Sequence, residues 1–141
     1  MKISARNILS GKVDSVTMGA VNAEVDLTLA GGEKIAAIIT NRSAEALGLS
    51  AGKAAYAIIK ASEVILGKNV AQARFSARNV LAGVVSKLQD GAVNSEVVVQ
   101  LPGGSEIVSS ITKASAHALE LKAGDSVSAI IKASNVIIGI D

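Results

Sequence analysis

Hydrophobic and polar residues alternate in short stretches along the whole chain, and the stretches come in two matching sets. From Lys12 to Met18 the alternation is imperfect but strand-like. Val21, Ala23, Val25, Leu27 and Leu29 then alternate with Asn22, Glu24, Asp26 and Thr28, the pattern of a half-buried strand. Gly31 and Gly32 predict a hairpin turn, because glycine accepts the positive φ that such turns demand, and Lys34 to Thr40 predicts the returning strand. The period changes at Ser43-Ala44-Glu45-Ala46-Leu47, which predicts a helix of one or two turns capped by Thr40, Asn41 or Ser43. After a turn at Ser50 to Lys53, strands at Ala54 to Lys60 and Ser62 to Leu66 close the unit. Five short strands and one short helix in so short a span predict a small barrel of the OB type.

The same unit then recurs. Ile3-Ser4-Ala5-Arg6-Asn7-Ile8-Leu9-Ser10-Gly11 returns 72 residues later as Phe75-Ser76-Ala77-Arg78-Asn79-Val80-Leu81-Ala82-Gly83. The match runs without a gap to Gly67 and Gly139, with roughly half the positions identical. The reading is a mainly β chain of two tandem five-stranded barrels, each with one short helix. The first unit is 1–67, a short polar linker is 68–74, and the second unit is 75–141. Units this small sit at the lower limit for an independent core, so pairing of the copies and further self-association are expected.

Composition sharpens this picture. Hydrophobic residues make up 50% of the 141 residues, yet Tyr56 and Phe75 are the whole aromatic set. The core must therefore be Ala, Val, Ile and Leu. There is no cysteine, which excludes disulfides and thiolate metal sites. His117 is the single histidine, aligns with Glu45, and is expected to be exposed. No direct metal coordination and no cofactor are expected. No apolar run is long enough for a signal peptide or a membrane span, so the reading is a soluble, cytoplasmic protein with no membrane partner. A net charge of +2 is too mild to imply nucleic acid.

Catalysis finds little support. The carboxylates are scattered, and Glu24 and Glu96, retained in both copies, read as part of a solvated strand face. No phosphate loop is present. The polar residues retained in both copies instead form a set of hydrogen-bond donors: Ser4, Arg6, Thr40, Ser43, Lys60 and Ser62, with Ser76, Arg78, Thr112, Ser115, Lys132 and Ser134. A fully ionised oxyanion presents acceptors only, so its site needs donors only. Arg and Lys add charge-assisted bonds, and the Thr-x-x-Ser segments fall where a helix N-terminus is predicted. Ala61 and Ala133, between Lys and Ser, would let an anion approach the main chain. Ala5, Asn7, Ala77 and Asn79 complete the Ser-Ala-Arg-Asn blocks as further candidates. Taken singly, each has a plain structural alternative: surface charge for the arginines and lysines, capping for Thr40 and Ser43, a turn for Asn22 and Asn94.

These blocks carry a resemblance. Ser-Ala-Arg-Asn early in each unit, Gly-Ala-Val-Asn-x-Glu-Val in the middle and Ile-Lys-Ala-Ser-x-Val-Ile near the end resemble the molbindins, the Mop-domain family of molybdate-binding proteins. The tandem arrangement is similar to the family's two-domain cytoplasmic storage members. The resemblance implies OB-like barrels that bind molybdate, and tungstate with it, for storage or homeostasis. It implies a homotrimer of six barrels with oxyanions held between subunits by hydrogen bonds. Ser4, Arg6, Lys60, Ala61 and Ser62 would then face Thr40 and Ser43 of another unit, with Ser76, Arg78, Lys132, Ala133, Ser134, Thr112 and Ser115 repeating the arrangement. By the same resemblance, Ala20, Val21, Asn22, Ala92, Val93 and Asn94 are candidates for additional sites. Two alternatives stand beside it. An oxyanion-sensing or regulatory oligomer would use the same site. An OB-type nucleic-acid module conflicts with the near-absence of aromatics on which bases could stack.

Overall fold

The computed structural model describes residues 1–141. The first repeat forms β1 (Asn7–Met18), β2 (Asn22–Leu29), β3 (Lys34–Thr40), α1 (Asn41–Ala46), β4 (Ala54–Ile59) and β5 (Ile65–Gly67). The second forms β6 (Asn79–Asp90), β7 (Asn94–Gln100), β8 (Glu106–Thr112), α2 (Lys113–Ala118), β9 (Ser126–Ile131) and β10 (Ile137–Gly139). A single 3₁₀ turn precedes each last strand, at Ala61–Glu63 and Ala133–Asn135.

β1 starts at Asn7, earlier than its alternation suggests, because the long strand serves two partners. Its first half pairs with β4, from Asn7↔Ile59 to Lys12↔Ala54, and its second half pairs with β2, from Gly11↔Leu29 to Met18↔Ala23. The strand coils where it changes partner. At Gly11 a Cβ would run into the Thr28 carbonyl oxygen at 2.5 Å, so the crossing requires glycine. Beyond it the register slips between Val13 and Ser15, a bulge that turns Asp14 out of the ladder. The second repeat has the same slip between Val85 and Lys87, at Ser86.

The last strands depart from the expected closure. Ser62 to Leu66 is not one strand: Ala61–Glu63 is a 3₁₀ turn and β5 starts only at Ile65. β5 then pairs with β9 of the second repeat (Ile65↔Ile130, Leu66↔Ala129, Gly67↔Ser128). β10 returns the exchange by pairing with β4 of the first (Ile137↔Ile58, Ile138↔Ala57, Gly139↔Tyr56). The two curled sheets therefore run β10-β4-β1-β2-β3 and β5-β9-β6-β7-β8. Each takes four strands from one repeat and one from the other.

The exchange fuses the cores. Val13, Leu27, Ile35, Ile59 and Val64 belong to one continuous apolar cluster with Val85, Val99, Ile107, Ile131 and Val136. Full burial of a side chain of this size stabilises by about 1.5–3 kcal/mol. Two further links cross between repeats. The Ser109 hydroxyl donates to the Val64 carbonyl at 2.7 Å. Lys68, expected in a free linker, binds the Leu119 and Glu120 carbonyls and the Asp125 carboxylate at 3.0–3.2 Å.

Candidate functional site

The exchanged segments gather the retained donors. Lys60-Ala61-Ser62 follows β4 directly, and its 3₁₀ turn folds against β8 of the other repeat; Lys132-Ala133-Ser134 folds in the same way against β3. Ser4, Ala5, Arg6, Lys60, Ala61 and Ser62 line one surface groove, together with Ile3, Ile58 and Ile137. A second groove holds Thr40 and Ser43 of the first repeat with Ser134 of the second. Ile137 borders both grooves. Ser134 thus lies beside the Thr-x-x-Ser pair of the other repeat within a single chain.

Local sequence explains how each donor is presented. The Thr40 side chain caps α1 by accepting from the Ser43 amide at 3.0 Å and donates to Ser43 Oγ at 2.8 Å. That commits Thr40 and leaves the Ser43 hydroxyl proton free to donate outward. Thr112 and Ser115 repeat both bonds at the same distances. The helices have only six residues each, so their dipoles add little. Lys60 and Lys132 are exposed and make no salt bridge. Ala61 and Ala133 are buried beneath them, where a larger side chain would lift the turn off the neighbouring strand.

The arginines differ from the sequence expectation. Arg6 reaches across to the second repeat and donates two bonds of 2.7 Å to the Glu96 carboxylate. Arg78 makes the reciprocal bidentate pair with Glu24 of the first repeat. Glu24 and Glu96 are therefore half-buried partners of the retained arginines, not members of a solvated face. Arg6 holds the Glu96 carboxyl below its usual range, first by the hydrogen bond and then by charge, with Lys87 adding to the field. Only the guanidinium tip is engaged, and three of the five N–H donors of Arg6 remain open. Each glutamate is retained in both copies together with the arginine it binds, but retention alone does not say which residues meet.

Other candidates are placed elsewhere. Asn7 is 2% exposed and works as a strand mimic, donating to the Val108 carbonyl at 2.8 Å and accepting from the Val108 amide at 2.7 Å. Asn79 does the same on Ala36, at 2.8 Å in both directions. Both amide groups are thus committed to closing the edges of β8 and β3. Ala20, Val21 and Asn22 form the exposed β1–β2 turn, held to α1 by the Asn41 amide on the Val21 carbonyl at 2.9 Å. Ala92, Val93 and Asn94 lie equivalently under Lys113. Neither turn lines the two grooves. His117 is exposed, 3.8 Å from Asp90. No group of three or more acidic, histidine or cysteine side chains is arranged to hold a metal ion. No helix is long and apolar enough to cross a membrane.

Known proteins match this architecture along its whole length. A family model described as the TOBE domain matches twice, at residues 3–66 and 76–138. The molybdenum-pterin-binding protein MopA of Rhodobacter capsulatus is 44% identical over 140 residues, covering 99% of this chain and 53% of the relative. The molybdenum transport protein ModE of Herbaspirillum seropedicae is 39% identical over 140 residues, covering 99% of this chain and 52% of the relative. The chain thus spans about half the length of these relatives. A crystal structure of the cytoplasmic molybdate-binding protein ModG, with molybdate bound, superposes with a TM-score of 0.96 at 52% identity and covers 100% of both chains.

Proposed function

We propose that this chain, which belongs to the TOBE-domain family, binds molybdate in the cytoplasm as a store or buffer. The observation that supports the reading is the strand exchange, which brings Ser134 of the second repeat into one groove with Thr40 and Ser43 of the first. Donors of three kinds line the groove at Lys60: its unpaired ammonium group, the hydroxyls of Ser4 and Ser62, and the partly engaged Arg6 guanidinium. Ser4, Arg6, Lys60, Ala61 and Ser62 belong to one site, and Ser76, Arg78, Lys132, Ala133 and Ser134 to a second, equivalent one. Thr40 with Ser43 and Thr112 with Ser115 supply the facing hydroxyls. A tetrahedral dianion satisfies such a set without direct coordination of its central atom, and tungstate, with the same shape and charge, fits equally. The relatives are binding and transport proteins by name, and we assign no catalytic step to this chain.

Exposed apolar side chains support further assembly. Met18, Val21, Ile65, Phe75, Val93 and Ile137 are each 42–73% exposed, apolar surface that association of copies would cover. We read the assembly as a homotrimer of six barrels, with anions held at the joints between units. Titration calorimetry with molybdate, tungstate, sulfate and phosphate tests the function. Molybdate and tungstate should bind alike, and phosphate far more weakly, because its proton needs an acceptor that a donor-lined site does not offer. Equal affinity for phosphate would refute the reading, and sedimentation as a stable monomer would refute the trimer.

A further inference from the structure

The two copies of the site are not electrically alike. Arg78 lines a groove with Asp14, Ser15, Asp26 and Lys34, in addition to its pair with Glu24. The 72-residue offset puts Ser86, Lys87, Val98 and Glu106 at the positions equivalent to Asp14, Ser15, Asp26 and Lys34, in the repeat whose Glu96 binds the other arginine, Arg6. Around Arg78, two cations (Arg78, Lys34) meet three carboxylates (Asp14, Glu24, Asp26), which leaves a net charge of −1. Around Arg6, two cations (Arg6, Lys87) meet two carboxylates (Glu96, Glu106), which leaves zero.

The extra carboxylates are fixed in place. Asp14 is the bulge residue of β1, and its carboxylate accepts from Thr28 at 2.7 and 2.9 Å and from Lys34 at 3.2 Å. Asp26 accepts from Ser15 at 3.2 Å. These bonds, that of Thr28 above all, hold the Asp14 carboxyl below its usual range, so it is ionised at neutral pH. The Arg78 guanidinium is raised by Glu24 first and by Asp26 in addition, whereas Arg6 is raised by Glu96 alone.

We propose that Asp14 and Asp26 make the oxyanion site containing Arg78 the weaker of the two, so that the chain takes up a dianion in two steps, the Arg6 site first. The inference rests on the anion-binding reading above. For an assumed separation of roughly 8 Å, one additional negative charge lowers a dianion's affinity on the order of fivefold in water at low ionic strength, and salt screens the effect. A repeat that has kept its donors but diverged in its flanking charges thus spreads uptake over a wider range of ligand concentration.

The test is titration calorimetry of the full chain with sodium molybdate at low ionic strength. The parent should show two classes of site roughly fivefold apart, closing together as salt is added. Asp14→Ser with Asp26→Val, which installs the residues of the other repeat, should tighten the weaker class and merge the two. Ser86→Asp with Val98→Asp should loosen the tighter class. Arg6→Ala and Arg78→Ala give an independent reading without touching the aspartates: the first should remove the tight step and the second the weak one. Molybdate binding in a single class, unmoved by the aspartate exchange, would overturn the inequality while leaving the function standing. No molybdate binding by the parent would overturn the anion reading itself.

Discussion

Two kinds of segment build this molecule, and they behave differently between the repeats. The four-strand bodies, β1 to β4 and β6 to β9, pair within their own repeat and have diverged on their outer faces: Asp14 stands against Ser86, Asp26 against Val98, Lys34 against Glu106. The exchanged segments, 60–67 and 132–139, pair only with the other repeat and hardly differ. Lys-Ala-Ser, Val64/Val136, Ile65/Ile137 and Gly67/Gly139 are identical in both. The outward positions of a body strand answer to solvent and to neighbours within the same repeat. An exchanged segment must fit a foreign sheet edge, bury a valine in the common core and present its donors to a hydroxyl pair across the joint. Three demands on so few residues leave little room for change.

Substitution in the exchanged segments gives the largest effect that could break this comparison. Ile138 is 6% exposed and Leu66 is 7% exposed, each on a strand that closes the other repeat's sheet. Ile138→Ala and Leu66→Ala should each cost about 2–5 kcal/mol in urea unfolding. Each should weaken both sheets in one transition, because the core is shared. Separate transitions for the two halves would show that the exchange does not couple them.

The asparagine clamps come next and sharpen the comparison, since they close the opposite edges. Asn79→Ala orphans the buried amide and carbonyl of Ala36, at about 1–3 kcal/mol for each group. Asn7→Ala exposes the same groups of Val108, which are only partly buried, and should cost less. Equal losses would mean that water already reaches both edges.

The smallest effect is electrostatic. Glu96 is held below its usual value near 4.5 by Arg6, so the native state binds its proton less readily than the unfolded chain does. Its contribution is present above that usual value and is lost as pH falls through the lower folded one. Glu96→Gln should therefore lower stability slightly in the neutral range, only slightly because the pair is exposed, and leave the acid range nearly unchanged, which flattens the acid limb. An acid limb identical to the parent's would show that the pair is not maintained in solution.

Much of this architecture is legible in the sequence. The alternation of β2, the Gly31-Gly32 hairpin and the Thr40 cap follow from local rules, and comparison of the repeats picks out the donors that line the grooves. The partner of the last strand is not legible, for a physical reason. Ile65-Leu66-Gly67 and Ile137-Ile138-Gly139 are nearly the same, and so are their targets, Ala57-Ile58 and Ala129-Ile130. Self-pairing and exchange satisfy the same side-chain pattern, and only the path of the connecting chain separates them. The Arg6–Glu96 pair is hidden for a related reason. An acidic residue on the outward face of a strand looks solvated until a residue 90 positions away is brought beside it.

The central claim is that donors from both repeats meet in each anion site at the joint, and thermal unfolding with and without molybdate tests it most directly. At a ligand concentration of ~100 times the dissociation constant, the parent should gain about 2.7 kcal/mol per independent site. Arg6→Ala with Arg78→Ala should abolish most of that gain while leaving the ligand-free stability little changed, since the arginines are exposed and solvent screens their ion pairs. A double variant that keeps the full molybdate shift would remove both arginines from the site and contradict the account.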